Sequence, residues 1–327
     1  MINLDEAAQR LSALPGVRVL RDEPLARHTR FGIGGPAGML AETDCEPSFA
    51  SMIETVRDAR IPYVVIGGGT NLIVSDSGYP GTVLRYTASG LLVTGTRVIA
   101  QAGGTLQSLV DSTIAWGLQN LHTMTGIPGT TGAAVYGNAG AYGHSISESV
   151  RSVRFFDGSE LRELTGPECE FRYRESVFKR RKEWIILSVG LELERGETDD
   201  LRRRADEILT IRNQKYPPTM KCAGSIFKNL LLAELPPSVA AQVPERVIRE
   251  GKVPSAYFLE EVGAKGMSRG DIRVATYHAN LIYNEGNGTA ADLVQVISNL
   301  KQRVRDRFAL DLEEEVQYVG FADEALQ

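Results

Sequence analysis

Two glycine-rich segments are the parts of this sequence whose composition most directly indicates chemistry. Gly67-Gly68-Gly69-Thr70-Asn71 follows a short apolar run, Tyr63 to Ile66, that predicts a buried strand. Glycines let the backbone approach a ligand closely, so that N–H groups can point at phosphate oxygens, and Thr70 and Asn71 add side-chain donors and acceptors. A tight turn is the competing interpretation of such a triple glycine.

The second segment, residues 126–143, favours ligand binding over a simple turn. It reads Gly-Ile-Pro-Gly-Thr-Thr-Gly-Ala-Ala-Val-Tyr-Gly-Asn-Ala-Gly-Ala-Tyr-Gly. Runs of small residues pack poorly in a core but leave room for a cofactor that lies along the backbone. Two such segments around a small β-domain predict a dinucleotide held in an extended form.

Other nucleotide-binding motifs are excluded. Residues 32–37 match the pattern GxGxxA of dinucleotide-binding folds, but Pro36 lies inside the match and no strand precedes it or helix follows it. We therefore do not expect a Rossmann site there. The sequence contains no GxxxxGK[ST] element, which argues against a P-loop kinase or ATPase.

Composition narrows the class of protein further. A net charge of -5 over 327 residues argues against a general nucleic-acid binder. The three cysteines are far apart and match no zinc-binding spacing, so we expect reduced thiols and no metal site. The first residues lack the features of a signal peptide, and no apolar run approaches the roughly 18 residues of a membrane helix. These features predict a cytoplasmic protein without a membrane-spanning segment.

Hydrophobic periodicity and capping residues predict alternating helices and strands. Asn3 is expected to cap a first helix, with Glu6 at the capping-box position. Further helices are predicted over residues 48–60, 198–214 and 255–263, after Thr105, and after Thr289. Strands are predicted over residues 63–66, 150–156, 185–194, 281–283 and 312–319, with several short ones within 82–103. Pro217-Pro218 marks the best domain boundary.

A series of motifs, read in order, resembles the MurB family of UDP-N-acetylenolpyruvoylglucosamine reductases. The motifs cover nearly the whole chain. They are residues 28–35 (HTRFGIGG), 66–74 (IGGGTNLIV), 126–143, 173–179 (YRESVFK), 224–229 (GSIFKN), 278–284 (HANLIYN) and 312–316 (LEEEV). Each is weak by itself, whereas the full series in the family's order is strong evidence.

The resemblance implies an α+β fold. An FAD-binding domain of the PCMH/vanillyl-alcohol-oxidase type, in two subdomains (residues 1–85 and 86–214), would precede a smaller α/β substrate-binding domain (residues 215–327). FAD would be bound non-covalently. Its implied contacts are Ile66, Gly67, Gly68, Gly69, Thr70, Asn71, Gly126, Pro128, Gly129, Thr130, Gly132, Asn138, Gly140 and Ala141.

The resemblance also implies a reaction in two stages. NADPH would reduce the flavin, and the flavin would pass hydride to the enolpyruvyl group of a UDP-sugar, giving UDP-N-acetylmuramate for peptidoglycan. Arg174 and Glu315 match family residues that stabilise an enolate-like intermediate, and Ser225 matches the proton donor. A serine suits this role because its hydroxyl stays protonated at neutral pH. Tyr173, Lys228 and Asn229 would contact the nucleotide sugar, and a monomer without nucleic-acid or membrane partners is expected.

Each catalytic candidate has a plainer interpretation. Arg174 and Lys228 would ordinarily be surface charges, Ser225 a turn residue, and Glu315 a solvent-facing carboxylate. His122 and His144 lie beside the second glycine-rich segment and receive no role.

Two departures from the family also limit the transfer of roles. Leu230 replaces a common proline, and the short interval between Arg174 and Ser225 is typical of the family type without an inserted tyrosine-bearing loop. A different FAD oxidoreductase on the same fold and a non-catalytic nucleotide-sugar binder therefore remain competing hypotheses.

Overall fold

The computed structural model describes residues 4–322 and consists of two compact units. The first unit contains residues up to Glu23, Ala37–Gly69 and Pro80–Pro218. The second unit contains Pro24–Pro36, Thr70–Tyr79 and the residues from Thr219 onward. Neither unit is a continuous stretch of chain. The division of the sequence at residues 85 and 214 stays a prediction.

The α-helices of the described residues are α1 (Leu4–Ser12), α2 (Glu46–Asp58), α3 (Leu106–Ala115), α4 (Thr131–Tyr136), α5 (Val177–Arg180), α6 (Thr198–Lys215), α7 (Pro237–Ala240), α8 (Ser255–Glu261) and α9 (Ala290–Phe308). Six of them fall close to the predicted positions, whereas the short helices α4, α5 and α7 were not predicted. The predicted Asn3 cap lies outside the described residues. α2 begins two residues earlier than expected, because a proline in the first turn leaves no hydrogen bond unmade.

The two predicted threonine caps are confirmed. Thr105 Oγ1 accepts a hydrogen bond from Ser108 N at 3.0 Å at the start of α3. Thr289 Oγ1 accepts one from Asp292 N, also at 3.0 Å, at the start of α9. The apolar face of α9 is buried as its periodicity predicts, through Leu293, Ile297, Leu300 and Val304. Gly117 and Gly263 follow α3 and α8 with φ angles of +63° and +70°, which stops each helix.

The first unit contains two larger sheets. One has four strands in the order Arg18–Pro24, Pro36–Thr43, Tyr79–Tyr86, Tyr63–Val65. The other has five strands in the order Leu161–Thr165, Val150–Phe156, Ile185–Glu192, Arg97–Gln101, Leu91–Thr94, all antiparallel. Two small pairs join Gly140–Ala141 to His144–Ser145 and Leu118–Gln119 to Glu194–Arg195. The strands predicted at 63–66, 150–156 and 185–194 are confirmed.

The second glycine-rich segment contains helix α4, which the composition of the segment did not indicate. The Thr130 side chain caps this helix by accepting a hydrogen bond from Ala133 N at 3.3 Å. Ala134 and Val135 are buried and belong to the core of the first unit. The expectation that this stretch packs poorly in a core is therefore wrong for α4.

The second unit is built on a four-stranded antiparallel sheet. Its strands lie in the order Lys221–Ser225, Leu281–Asn284, Ile272–Val274, Ser268–Arg269. Leu230–Leu231 pairs with Lys252–Val253, and Leu72–Val74 pairs in parallel with Gln317–Val319. The core of this unit is formed by α8, α9 and the apolar side chains of the sheet. The predicted strand 312–319 is wrong over residues 312–316, where only a single bridge, at Glu314, joins Phe227.

Candidate active site

The first glycine-rich segment follows the strand Tyr63–Val65 and presents several backbone amides in succession. Gly67 lies against the second segment, because a Cβ at this position would come within 2.7 Å of Thr130 Oγ1. Gly69 has a φ of +63°, which glycine adopts without strain. Across residues 4–322, no protein group accepts a hydrogen bond from the amides of Gly67, Gly68 or Gly69. Successive amides without protein partners form an anion-binding concavity, so the segment fits a phosphate.

The start of α4 is different, because its amides already have partners within the first unit. Thr131 N donates to Gly104 O at 2.8 Å, and Gly132 N donates to Ala102 O at 2.9 Å. Gly132 also packs closely on Ala102, since a Cβ there would lie 2.8 Å from the Ala102 Cβ. Gly132 is therefore needed for close packing, and its amide is not directed at a ligand.

Buried polar side-chain atoms in α4 and in the 3-10 turn His122–Met124 fit a bound cofactor. Thr123 Oγ1, Thr131 Oγ1 and His122 Nδ1 are buried and have no hydrogen-bond partner among the residues the structure describes. Buried polar atoms are almost always satisfied, so these three indicate a ligand that supplies the missing groups. Burial lowers the pKa of His122, which favours its neutral imidazole. A flavin has ring carbonyls and nitrogens of the matching polarity.

Tyr173 and Arg174 lie together at the tip of a tight turn in the first unit. The backbones of Arg172 and Glu175 exchange hydrogen bonds of 3.0 and 3.1 Å across its base. Arg174 has a φ of +57°, an uncommon conformation for a residue with a side chain. Its guanidinium carbon lies 5.3 Å from the centroid of the Tyr173 ring. Arg174 is half-buried, and its guanidinium is not fully solvated.

In the second unit, Ser225 ends the strand Lys221–Ser225 at an irregular position. The register against the neighbouring strand shifts between Cys222 and Ser225, where Gly224 has a φ of +75°. Beyond the shift, Ile226 N donates to Asn280 O at 3.1 Å. The bulge re-aims the backbone at Ser225, a device that is common beside active sites.

Glu315 is placed beside Ser225 by the backbone. Glu315 N donates a 2.7 Å hydrogen bond to the carbonyl of Ile226, the residue that follows Ser225. Glu313 and Glu314 are engaged elsewhere, since Glu313 pairs with Lys228 and Glu314 with Lys301. Glu315 is half-buried and lies outside a regular strand.

Lys228 belongs to the same cluster. Its backbone N donates to Glu313 O at 2.9 Å, and its side chain is only 8% exposed. The interpretation as a solvated surface charge is therefore wrong. Asn229 follows directly and is half-buried.

Asn71 also supports this cluster. Its side-chain amide donates to Glu315 O at 2.9 Å, and its carbonyl accepts from Gln317 N, also at 2.9 Å. Asn71 thus holds the backbone of Glu315, a contact that the sequence did not indicate. Thr70 and Asn71 belong to the second unit, whereas Gly67, Gly68 and Gly69 belong to the first.

The structure thus divides the sequence-predicted residues between the two units. The first holds Ile66, Gly67, Gly68, Gly69, Gly126, Pro128, Gly129, Thr130, Gly132, Asn138, Gly140, Ala141, Tyr173 and Arg174. The second holds Thr70, Asn71, Ser225, Lys228, Asn229 and Glu315. Contacts of these residues with a cofactor or substrate stay predictions.

Comparisons with known proteins identify the class of protein. Residues 39–161 match the FAD binding domain, and residues 216–319 match the C-terminal domain of UDP-N-acetylenolpyruvoylglucosamine reductase. A protein of that name from Solibacter usitatus is 58% identical over 95% of this chain and 100% of its own length. One from Rubrobacter xylanophilus is 38% identical over 91% of this chain and 94% of its own.

A solved structure agrees with this classification. The MurB structure from Thermus caldophilus matches with a TM-score of 0.73 and 28% identity, over 93% of this chain and 99% of the other. The fold and the matched domains define an FAD-binding oxidoreductase. The chain belongs to the MurB family of UDP-N-acetylenolpyruvoylglucosamine reductases. The expected fold class, an FAD-binding domain followed by a smaller substrate domain, is confirmed.

Two further findings concern the described residues alone. No helix within residues 4–322 is long and apolar enough to cross a membrane. Over the same range, no group of three or more His, Cys, Asp or Glu side chains is arranged to hold a metal ion. Cys45, Cys169 and Cys222 are free cysteines.

Proposed function

We propose that this protein reduces UDP-N-acetylglucosamine enolpyruvate to UDP-N-acetylmuramate, with NADPH as the reductant and FAD as the bound cofactor. The observation that carries the proposal is the backbone pairing of Glu315 with Ile226, which brings the predicted acid Ser225 and the predicted carboxylate Glu315 together. The name and the 58% identity of the Solibacter usitatus relative support the substrate. In this role the product would serve peptidoglycan synthesis.

Bound FAD would accept hydride from NADPH and deliver it to the substrate. The residues that would hold it are the amides of Gly67 to Gly69 at a phosphate, and Thr123, Thr131 and His122 through their buried polar atoms. The neutral imidazole of His122 would act as a hydrogen-bonding partner and not as a cation. These residues bind and orient the cofactor, and none is assigned a proton-transfer role.

Ser225 would supply the proton that completes the reduction. Hydride addition at one carbon of the enolpyruvyl double bond pushes charge toward the carboxylate, and the resulting enolate is a strong base. A serine hydroxyl is protonated at neutral pH and can donate to such a base. The register shift at Cys222 and Ser225 gives this side chain a direction that a regular strand would not.

Arg174 and Glu315 would stabilise the same enolate. A guanidinium fits a carboxylate through two parallel hydrogen bonds, which strengthen as negative charge develops. A carboxyl group can contribute by donating a hydrogen bond to the enolate in its protonated form, because the anionic oxygen is an acceptor. Tyr173, Lys228 and Asn229 would contact the nucleotide sugar, where the buried ammonium of Lys228 favours an anionic group.

The proposal extends to binding order and setting. NADPH and the UDP-sugar would bind in turn, so a stable complex with both ligands would contradict the proposal. We place the protein in the cytoplasm as a monomer that binds its ligands without a nucleic-acid or membrane partner.

The test separates the two half-reactions in anaerobic stopped-flow absorbance. Wild-type flavin should bleach with NADPH and recover its colour on addition of the enolpyruvyl substrate. Ser225→Ala should leave bleaching within about threefold but slow recovery by about 10²–10⁴-fold, the usual contribution of a general acid. Ser268→Ala, an exposed serine in the same sheet, is the matched control and should change neither rate.

Other outcomes would point elsewhere. Bleaching without recovery in the wild type would favour a different FAD oxidoreductase, which oxidase activity on simple alcohols would reveal. A protein without flavin colour after addition of FAD would favour a non-catalytic nucleotide-sugar binder. Equal loss of both half-reactions in Ser225→Ala would mean that Ser225 acts in folding or flavin binding.

A further inference from the structure

We propose that Asn138 is a positioning residue whose side-chain amide holds the turn that presents Arg174. The inference rests on the proposed function, because it gives Asn138 a role through Arg174 in the reduction of the substrate. It assigns Asn138 a purpose other than the cofactor contact implied by the family resemblance.

The Asn138 side chain is built into the protein at both of its ends. It is 6% exposed, and Nδ2 donates a 2.8 Å hydrogen bond to Arg172 O at the base of the turn. Oδ1 accepts from Ser147 N at 3.3 Å. One carboxamide therefore links its own segment to Ser147, nine residues away, and to Arg172, 34 residues away, and the shorter of the two bonds goes to the turn that carries Arg174.

Arg174 reaches back to the segment that contains Asn138. Its Nη2 donates to Gly140 O at 3.0 Å, and its Nη1 lies 3.5 Å from Asn138 O. The side chain of Asn138 thus fixes the backbone of the turn. The backbone carbonyls of Asn138 and Gly140 orient the guanidinium of Arg174. The contacts run in both directions between the same two segments.

The backbone in both segments is held in an uncommon conformation. Asn138 has a φ of +43° and Arg174 a φ of +57°. A left-handed conformation is unfavourable for a residue other than glycine, and least so for asparagine. Such strain persists only where surrounding contacts impose it, and it concentrates at functional sites. The conformation of Arg174 therefore needs the contacts that hold the turn.

Three further hydrogen bonds, from Lys179 and Ser176, hold the turn. Lys179 Nζ donates to Arg174 O and to Glu175 Oε1, each at 3.0 Å. Ser176 Oγ donates to Tyr136 O at 2.7 Å. Lys179 and Asn138 thus hold the same turn at two carbonyls. The Lys179 ammonium fixes the carbonyl of Arg174, and the Asn138 carboxamide fixes that of Arg172.

Positioning of this kind matters because the guanidinium must meet charge that develops only during the reaction. A donor that is held in place beforehand pays no reorganisation cost in the transition state. A displacement of about 1 Å can lower the rate by about 100-fold. We therefore expect the loss of Asn138 to slow the step that needs Arg174 and to spare the step that does not.

The test uses Asn138→Gly in the full-length, FAD-loaded protein. Glycine accepts a φ of +43° without strain, so this variant removes the carboxamide and keeps the backbone. Asn120→Gly is the matched control, because Asn120 also has a positive φ, +89°, and lies in the same unit. Lys179→Met, which removes the second contact and keeps an unbranched side chain, covers the case in which Asn138→Gly fails to fold.

In stopped-flow experiments, Asn138→Gly should slow flavin reoxidation by the enolpyruvyl substrate about 10–100-fold. Flavin reduction by NADPH and retention of FAD should stay within about threefold of wild type, and Asn120→Gly should match wild type in all three. Lys179→Met should show the same selective loss. Combined with Arg174→Ala, Asn138→Gly should add no further loss, because both changes remove one function.

Three results would overturn the inference. Loss of FAD or equal loss of both half-reactions would make Asn138 a cofactor contact or a folding residue. Losses that multiply in the double variant would show that Asn138 acts independently of Arg174. Normal reoxidation in Asn138→Gly or, should that variant not fold, in Lys179→Met would also contradict it. By contrast, normal reoxidation in Arg174→Ala would refute the proposed role of Arg174 itself.

Discussion

Replacing Asn280 with alanine should destabilise the second unit by about 2–4 kcal/mol. Asn280 is 3% exposed and its side chain makes three hydrogen bonds in the interior of that unit. Oδ1 accepts from Phe227 N at 2.9 Å, and Nδ2 donates to Phe227 O at 2.9 Å and to Ser255 Oγ at 2.7 Å. The carboxamide thus satisfies both backbone groups of Phe227, as a neighbouring strand would. Phe227 lies two residues after Ser225.

The magnitude follows from the groups that alanine would leave behind. The amide of Phe227 would lose its acceptor in the interior, which costs about 1–3 kcal/mol. Phe227 O would keep one donor, the Ser255 hydroxyl at 3.3 Å. Losing the Asn280 Nδ2 donor should therefore cost less than the unsatisfied amide, about 1 kcal/mol. Ser255→Ala removes only the hydroxyl and should cost about 1 kcal/mol, which makes it a graded comparison.

The assay must report on the second unit. The two tryptophans, Trp116 and Trp184, both lie in the first unit, so intrinsic tryptophan fluorescence does not follow unfolding of the second. Native-state hydrogen exchange by mass spectrometry does, through the amides of α9, whose slowest exchange reports the opening free energy of the unit. Exchange of α9 should quicken by about 30–800-fold in Asn280→Ala.

The reasoning would be refuted if Asn280→Ala lowered the opening free energy by less than about 1 kcal/mol. It would equally fail if Ser255→Ala cost as much as Asn280→Ala, because the unsatisfied Phe227 amide would then carry no penalty of its own. Peptides from the first unit should show unchanged exchange and serve as the internal control.

Two further predictions concern the first unit and are read from thermal unfolding followed by tryptophan fluorescence. Gly67→Ala should destabilise it by about 1–3 kcal/mol, because the new Cβ would lie 2.7 Å from Thr130 Oγ1. Gly137→Ala is the control and should cost far less, because the nearest atom to its new Cβ lies at 3.6 Å. Equal effects of the two variants would contradict the crowding at Gly67. Burial, and to a lesser degree the charges of Arg204 and His144, lowers the pKa of His122 below its ordinary value of 6.5, although Asp200 opposes this. The unfolded chain then binds a proton at higher pH than the folded chain, so the stability of the unit should fall as the pH drops below about 6.5. His122→Gln should make this fall with pH less steep. If the pH dependence of stability is unchanged in His122→Gln, His122 is not its cause.

Local signals in the sequence predicted local structure well. Thr105 and Thr289 were identifiable as caps because capping depends on one side chain and an amide three residues away. The buried face of α9 followed from its periodicity, because a single helix face contacts the core along its whole length.

Two errors show where local signals fail. Residues 312–316 alternate like a strand, but their backbone is hydrogen-bonded to the backbone of Ile226 and Lys228, across the single bridge between Phe227 and Glu314. Helix α4 was hidden by the glycines around it, although its Thr130 cap was a signal that the composition masked. In both cases one specific contact, and not the pattern over several residues, determines the local structure.

The candidate site was predictable residue by residue only through the family resemblance. The type and spacing of Arg174, Ser225 and Glu315 gave no reason to prefer catalysis over surface positions. What the sequence could not indicate was the support around them, because it consists of contacts between distant positions. Asn71 holds Glu315 and Asn138 holds Arg172 through single hydrogen bonds of 2.9 and 2.8 Å.

The interleaving of the two units has a consequence for how the protein is made. Asn71 and Glu315 are 244 residues apart, and the adjoining strand Leu72–Val74 pairs with Gln317–Val319. A ribosome adds about 5–20 residues per second, so an apolar strand that is buried in the finished protein waits about 10–50 s for its partner. The strand Leu72–Val74 therefore gains its partner only after Gln317–Val319 has been synthesised, and a nascent chain stalled before Gln317 would present Leu72–Val74 to chaperones and proteases.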